Sequence, residues 1–318
     1  MLLLILFVVI FSAVAFRFYS KLSCGICRSS AHLVGRVVLV TGANSGLGLT
    51  LATDLAERGA RILLACRSEA RARQAKEHIL SRAPQADVVC LQLDLADLAS
   101  VRRFAKRVRD TEDRLDILVN NAGAGGLGNH KTKDGLQVGM QVNYFGPYLL
   151  TRLLLPLLKK SAQSRIVNVS SIVYKYGELD FDNLNMEKYW SDYLVYANSK
   201  LYMNMMTVEL ARQLEGTGVT VNCLHPGVAS TNIFRRIPSK FIRVVLGYSI
   251  SFLFKNEWEA SQTSIYLCVA PELSTVSGQY FADCRATSLR PICRDEHLTK
   301  KLWKVSEMLV KFSEEDIK

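Results

Sequence analysis

Val37-Val38-Leu39-Val40-Thr41-Gly42-Ala43-Asn44-Ser45-Gly46-Leu47-Gly48 is the stretch on which the fold turns. An apolar run breaks at Thr41-Gly42, and helical periodicity then carries Leu49, Leu51, Ala52, Leu55 and Ala56. That order reads as strand, tight turn, helix. The glycines have separate tasks: Gly42 allows the turn, Gly46 lets backbone amides approach a ligand, and Gly48 lets the helix pack close to the sheet. Asn44, Ser45 and Leu47 complete the loop, and the free N–H groups at the helix start face it. A glycine pattern between a strand and a helix points to a dinucleotide's pyrophosphate; the alternative is a plain turn.

The alternation continues outward. Ile62-Leu63-Leu64-Ala65 is followed by a polar helix from about Glu69 to Leu80, and Val88 to Leu93 by Ile117-Leu118-Val119. A long helix is expected from about Leu136 to Leu158, then Ile166-Val167-Asn168-Val169, a helix around Tyr196 to Leu214, and Val219-Thr220-Val221-Asn222. Continuous apolar strands separated by helices predict an α/β, doubly wound parallel sheet, the Rossmann fold, as a single domain over residues 36–290. Residues 291–318 read as a helical tail, centred on Leu298 to Phe312, that packs on the domain or on lipid.

Composition narrows the class. With 318 residues, 49% apolar and 22% charged, the chain is neither disordered nor a disulfide miniprotein. The formal charge of +11 invites a nucleic-acid partner. However, the basic stretches Arg67 to Lys76 and Arg102 to Arg109 are interleaved with apolar residues, as on solvated helix faces, and no nucleic-acid motif accompanies them. No nucleic-acid partner and no metal are therefore expected. The eight cysteines lack the dense pairing of a secreted scaffold and fit a reducing compartment. Cys24 and Cys27 have no second pair or neighbouring His for a tetrahedral metal; they read as linker residues or as acylation sites beside a membrane.

That membrane is suggested by residues 1 to 16, which carry no charge and are followed by Arg17, Lys21, Arg28 and Arg36. A helix of that length covers about 24 Å, a marginal span. Residues 1–19 read as an anchor and 20–35 as a juxtamembrane linker, with a cleaved signal ending near Ser12 to Ala15 as the alternative. The basic residues downstream predict a cytosolic body.

A site selective for the cofactor without a 2′-phosphate would place an acid at the tip of the second strand; here the tip is Ala65-Cys66-Arg67-Ser68. Arg67 can pair with a 2′-phosphate, so NADP(H) is the expected cofactor.

Adding Asp94 after the third strand, Asn120-Asn121-Ala122-Gly123 after the fourth, Ser170-Ser171 after the fifth, Tyr196-x-x-x-Lys200, and Pro226-Gly227 with Thr231, the chain resembles the short-chain dehydrogenase/reductase family over about residues 35 to 290. The apolar leader, the Ala-Cys-Arg tip, the stretch Arg165 to Ser171 and Leu302-Trp303 look more narrowly like the membrane-bound retinol dehydrogenase subgroup. The resemblance implies that the cofactor is held by the Gly42 to Gly48 loop, Arg67, Asp94, Leu95, Asn121, Ala122, Gly123, Tyr196, Lys200, Pro226, Gly227 and Thr231. It also implies a small apolar substrate such as a retinoid, an endoplasmic-reticulum membrane with the catalytic domain facing the cytosol, and a homodimer formed through the long helices.

Tyr196 and Lys200 lie one helical turn apart and share a face. A nearby cation favours phenolate, so Tyr196 is expected to have a lowered pKa and to act as general acid in carbonyl reduction and general base in alcohol oxidation. The resemblance adds ribose binding to Lys200. Of the adjacent serines only one can face the substrate at a strand end. The family's spacing to the tyrosine selects Ser171, to steady the substrate oxygen, and leaves Ser170 to packing. Asn143 matches the family's helix asparagine that supports a water-linked proton path to the lysine; the alternative is a buried amide bracing a helix. His225 reads as structural, and Asn168-Val169-Ser170 as a glycosylation pattern lost in a buried strand.

The aromatic residues Tyr174, Tyr176, Phe181, Tyr189, Trp190 and Tyr193 are expected to line an apolar substrate site. A second stretch, Ile233-Phe234 and Phe241 to Phe254, reads equally as a lid helix or as a surface lying on lipid. The leading reading is reversible oxidoreduction of retinol and retinal or a related lipid alcohol and aldehyde. The alternatives are a carbonyl reductase for steroid or fatty aldehyde substrates and a catalytically silent, membrane-tethered nucleotide-binding scaffold.

Overall fold

The computed structural model describes residues 23–161, 163–227 and 255–317, together with Phe7, Phe11, Ser12, Ala15, Arg17 and Lys21. Strand β1 (Val37–Thr41) is buried along its whole length, as a strand covered on both faces must be. Helix α1 (Gly46–Glu57) returns the chain to β2 (Arg61–Cys66), which pairs parallel with β1 from Val37 opposite Arg61 to Thr41 opposite Ala65. Then follow α2 (Glu69–Arg82), β3 (Val88–Gln92), α3 (Leu98–Thr111) and β4 (Ile117–Asn120). The second half holds α4 (Gly146–Lys160), β5 (Ser164–Val169), α5 (Asp192–Gln213), β6 (Val219–His225), α6 (Glu257–Val269), β7 (Tyr280–Ala282), β8 (Arg285–Thr287) and α7 (Glu296–Leu309).

The strands form one sheet in the order β3-β2-β1-β4-β5-β6-β7-β8. Neighbours are parallel except at the far edge, where β8 runs antiparallel to β7. The order reverses between β1 and β4, which opens a crevice beyond their carboxyl ends. One apolar layer joins the sheet to α3, α4 and α5, and the other joins it to α1, α2 and α6. Ile62, Leu63 and Leu64 are fully buried between the layers, each stabilising the fold by about 1.5–3 kcal/mol relative to exposure. In α3 the buried residues Leu98, Val101, Phe104, Ala105 and Val108 make the inner stripe of an amphipathic helix.

The expected long helix beginning near Leu136 is composite. Val138–Met140 leads into a π-helical turn, Gln141–Phe145, and then into α4, with right-handed helical backbone at both junctions. The β7–β8 hairpin was absent from the sequence reading. Its turn residues Asp283 and Cys284 both take positive φ (51° and 56°) without a glycine to announce it.

Helix α7 lies on the protein: Leu302, Trp303 and Ser306 are buried, and the Tyr148 hydroxyl donates to the Trp303 carbonyl (3.1 Å). Among the described residues no helix is long and apolar enough to cross a membrane. Thr231 and the stretch Ile233 to Phe254 lie outside the described residues, as does most of the apolar leader. All eight cysteines are free, and no group of side chains among the described residues has a metal-ligand arrangement. Burial raises the Cys24 and Cys27 thiols above their ordinary value, which favours the protonated form.

Candidate active site

The glycine loop is moulded against the end of β4. Gly42 and Gly46 take positive φ (66° and 56°), where a side chain is strained. A Cβ on Gly48 would stand 2.4 Å from Asn121 Nδ2 and 2.5 Å from the Gly42 carbonyl oxygen. Thr41 holds the other side: its Oγ1 accepts from the Asn121 and Ala122 N–H groups (both 3.0 Å), and Asn121 Nδ2 donates to the Thr41 carbonyl (2.8 Å). Ser45, at the N-cap of α1, makes no side-chain cap, so the first amides of the helix stay available to a ligand. This floor without side chains, ringed by amides, fits a dinucleotide's pyrophosphate.

Around the same crevice, Arg67 is exposed just past β2, and no acid stands at that tip. Asp94 Oδ1 accepts from Ala96 N (2.9 Å), while Leu95 is buried with its carbonyl against Gly146. Pro226 and Gly227 follow β6; Gly227 takes φ 92°, and a Cβ there would stand 2.6 Å from Lys255 Cδ.

The candidate catalytic groups meet beside Gly123. Lys200, only 3% exposed, donates its Nζ to the Val169 carbonyl (2.8 Å) and lies 5.6 Å from the Tyr196 ring centroid. A Cβ on Gly123 would come within 3.2 Å of Lys200 Nζ and 3.5 Å of Asn143 Oδ1. Asn143, on the π-helical turn, accepts from Ala124 N and donates to the Ala124 carbonyl (both 2.9 Å). Ser171 stands close enough to the Tyr196 phenol to oppose its upward shift, and its Oγ accepts from Val173 N (3.3 Å). Ser170 is turned inward, its Oγ donating to the Lys200 carbonyl (3.3 Å).

Burial shifts both titratable partners towards their neutral forms. Lys200 falls to about 8 because no carboxylate compensates its desolvation. Burial also raises the Tyr196 phenol, with the nearby Ser171 acting against it. This reverses the lowering expected from the neighbouring cation: the ammonium lies over the ring face and spends a proton on the Val169 carbonyl. His225 is pushed down to about 4 by burial and then by Lys255, and its Nδ1 accepts from Ile172 N (3.1 Å). It is a neutral structural ring.

The structure gives several residues supporting roles that the sequence does not show. Asn120 Nδ2 donates to Thr151 Oγ1 (2.9 Å) and Asn168 Oδ1 (2.8 Å), and Asn168 Nδ2 to Thr207 Oγ1 (2.9 Å). That buried chain ties β4 and β5 to α4 and α5, and it leaves Asn168 no access for a glycan. Asn198, inside the Tyr-Lys motif, accepts from Glu178 N (2.8 Å) and so pins the loop before α5. Of the aromatic residues expected to line a substrate site, Tyr176 and Tyr193 are exposed and in contact (6.4 Å between centroids). Tyr174 instead is fully buried against Tyr280, and Phe181 packs on the core beneath Lys301. A 3-10 turn, Ile172–Tyr176, points Tyr174 inward and Tyr176 outward.

Residues 36–240 match the family model described as short chain dehydrogenase. Retinol dehydrogenase 14 of Mus musculus is 46% identical over 287 residues, 87% of this chain and 86% of the relative. Retinol dehydrogenase 13 of Homo sapiens is 42% identical over 290 residues, covering 90% and 88%. Among solved structures, an uncharacterized protein from Mycobacterium paratuberculosis superposes with a TM-score of 0.71 at 28% identity, over 91% of this chain and 98% of that one. A short chain dehydrogenase from Escherichia coli CFT073 complexed with NADPH gives 0.62 at 26% identity, over 81% and 100%. With the sheet order, the glycine loop and the cluster at Gly123 all in place, the chain belongs to the short-chain dehydrogenase family and is an oxidoreductase closely related to the retinol dehydrogenases.

Proposed function

We propose that this protein interconverts retinol and retinal, or a related lipid alcohol and aldehyde, with NADP(H), at a membrane. The observation that carries this reading is the convergence of Ser171, Tyr196, Lys200 and Asn143 beside Gly123, at the same sheet edge as the Gly42 to Gly48 loop. When bound, the nicotinamide supplies a hydride in reduction and takes one up in oxidation. Burial keeps the Tyr196 phenol protonated at neutral pH, so it is ready to give its proton to a carbonyl oxygen. Ser171 shares in holding that oxygen and steadies its developing charge. The Lys200 ammonium, over the ring, favours the phenolate left behind.

Arg67, exposed and without an acidic neighbour at the β2 tip, favours a 2′-phosphate. The similarity to retinol dehydrogenases 13 and 14 supports an apolar substrate, and residues 1–19 would anchor the chain, with its body on the cytosolic face of the endoplasmic reticulum. The test is the purified full chain in phospholipid vesicles with NADPH. Turnover of all-trans-retinal or medium-chain aldehydes is expected, and turnover of neither refutes the substrate class. Arg67→Ala should cut the preference for NADPH over NADH by roughly tenfold or more, the worth of a hydrogen bond to a charged group; unchanged discrimination removes Arg67 from the cofactor site.

A further inference from the structure

The tail helix touches the back of the catalytic cluster. Asn143 and Tyr144 are neighbours on the π-helical turn, about a quarter-turn apart, and their side chains meet different partners. Asn143 faces the Ala124 backbone, within reach of the space beside Gly123 and Lys200. Tyr144 faces α7: it is fully buried, and its hydroxyl lies 2.8 Å from Ser306 Oγ. Because Ser306 already donates to the Leu302 carbonyl (2.7 Å), Tyr144 is the donor in that pair. The Tyr144 ring also meets Tyr202 edge-on at 5.5 Å, and Tyr202 lies on α5 just beyond Lys200.

The tail is fastened independently at both ends. At its start, Thr299 Oγ1 donates to Glu209 Oε2 (3.1 Å) and accepts from Arg212 Nη1 (2.8 Å). Toward its end, Arg152 pairs with Glu307 (2.8 Å) and stands over the Trp303 and Phe312 rings, 5.2 and 4.2 Å from their centroids. Arg102 reaches past the helix to Asp316 (2.9 Å). Ser306 is therefore presented to Tyr144 by a helix whose position is set elsewhere in the fold.

We propose that α7 is a positioning element for the active site: Ser306 holds Tyr144, Tyr144 sets the π-helical turn, and that turn places Asn143 beside Gly123 and Lys200. The inference rests on reading Asn143 and Lys200 as active-site groups, and it makes Ser306 and Tyr144 positioning residues that touch neither substrate nor cofactor.

Tyr144→Phe is the informative variant, since it keeps the ring and leaves Ser306 bonded to Leu302, so the fold is retained. In the full chain it should lower kcat by roughly three- to tenfold, the size of coupling carried through packed networks. It should also move the alkaline limb of the kcat/KM profile, with NADPH affinity and melting temperature nearly unchanged. Ser306→Ala should reproduce the kinetic signature from the tail side, and because it strands a buried hydroxyl it should also lower the melting temperature. Asn143→Ala is run beside them. If it abolishes activity while Tyr144→Phe keeps the wild-type kcat and pH profile, the positioning role is overturned. If Asn143→Ala is itself fully active, the reading of the site fails first.

Discussion

Lys200 holds its charge among backbone carbonyls rather than carboxylates, and that choice makes the site sensitive to pH. Its ammonium is lowered from 10.5 to about 8 by burial. Since this is a base with a depressed value, the charge is present below about pH 8 and lost above it. The free-enzyme kcat/KM profile for aldehyde reduction should therefore carry an alkaline limb near pH 8, and a profile flat from pH 7 to pH 10 would contradict the assignment. Tyr196, Lys200, Ser171 and Asn143 were legible because their types and spacing recur in a known motif. The direction of the Tyr196 shift was not, because desolvation of a phenol is created only when α5 packs against the end of β5. The pinning role of Asn198 was hidden likewise, since Glu178 is brought to it by a loop.

The loop between β1 and α1 is the element that commits the crevice to a ligand, and its tolerance is measurable. Gly48→Ala would push a methyl into Asn121 Nδ2 and the Gly42 carbonyl, at a cost of about 1–3 kcal/mol and with weakened NADPH binding by titration. Gly125 has nothing within 4 Å of a Cβ and no positive φ, so Gly125→Ala should leave both properties unchanged. Equal effects at the two positions would show that the close approach at Gly48 is unimportant. At this scale, continuous apolar runs made the parallel strands readable. The π-helical turn was not, because Gln141-Val142-Asn143-Tyr144-Phe145 satisfies ordinary helical periodicity. Nor was the β7–β8 hairpin, whose turn is built on Asp283 and Cys284 without glycine.

Across the whole molecule, α7 lies on α4 and α5, two of the long helices, and the sequence resemblance implies that copies pair through such helices. Tyr148 and Trp303 meet at 4.9 Å and Arg152 pairs with Glu307 across the same seam. A dimer through those faces would have to displace this packed, half-exposed helix, so we predict a single-chain mass by light scattering in mild detergent; a stable dimer cross-linked between α4 or α5 of two copies would refute this. The sequence could not decide whether the tail met protein or lipid, because the stripe holding Leu302 and Trp303 suits either. The account as a whole depends on Tyr196 being the proton donor in a site where many other groups also hold the cofactor. The direct measurement compares wild type with Tyr196→Phe for NADPH affinity by fluorescence titration and for aldehyde turnover. Retained affinity with turnover lost is the predicted result, and turnover near the wild-type rate would contradict the mechanism.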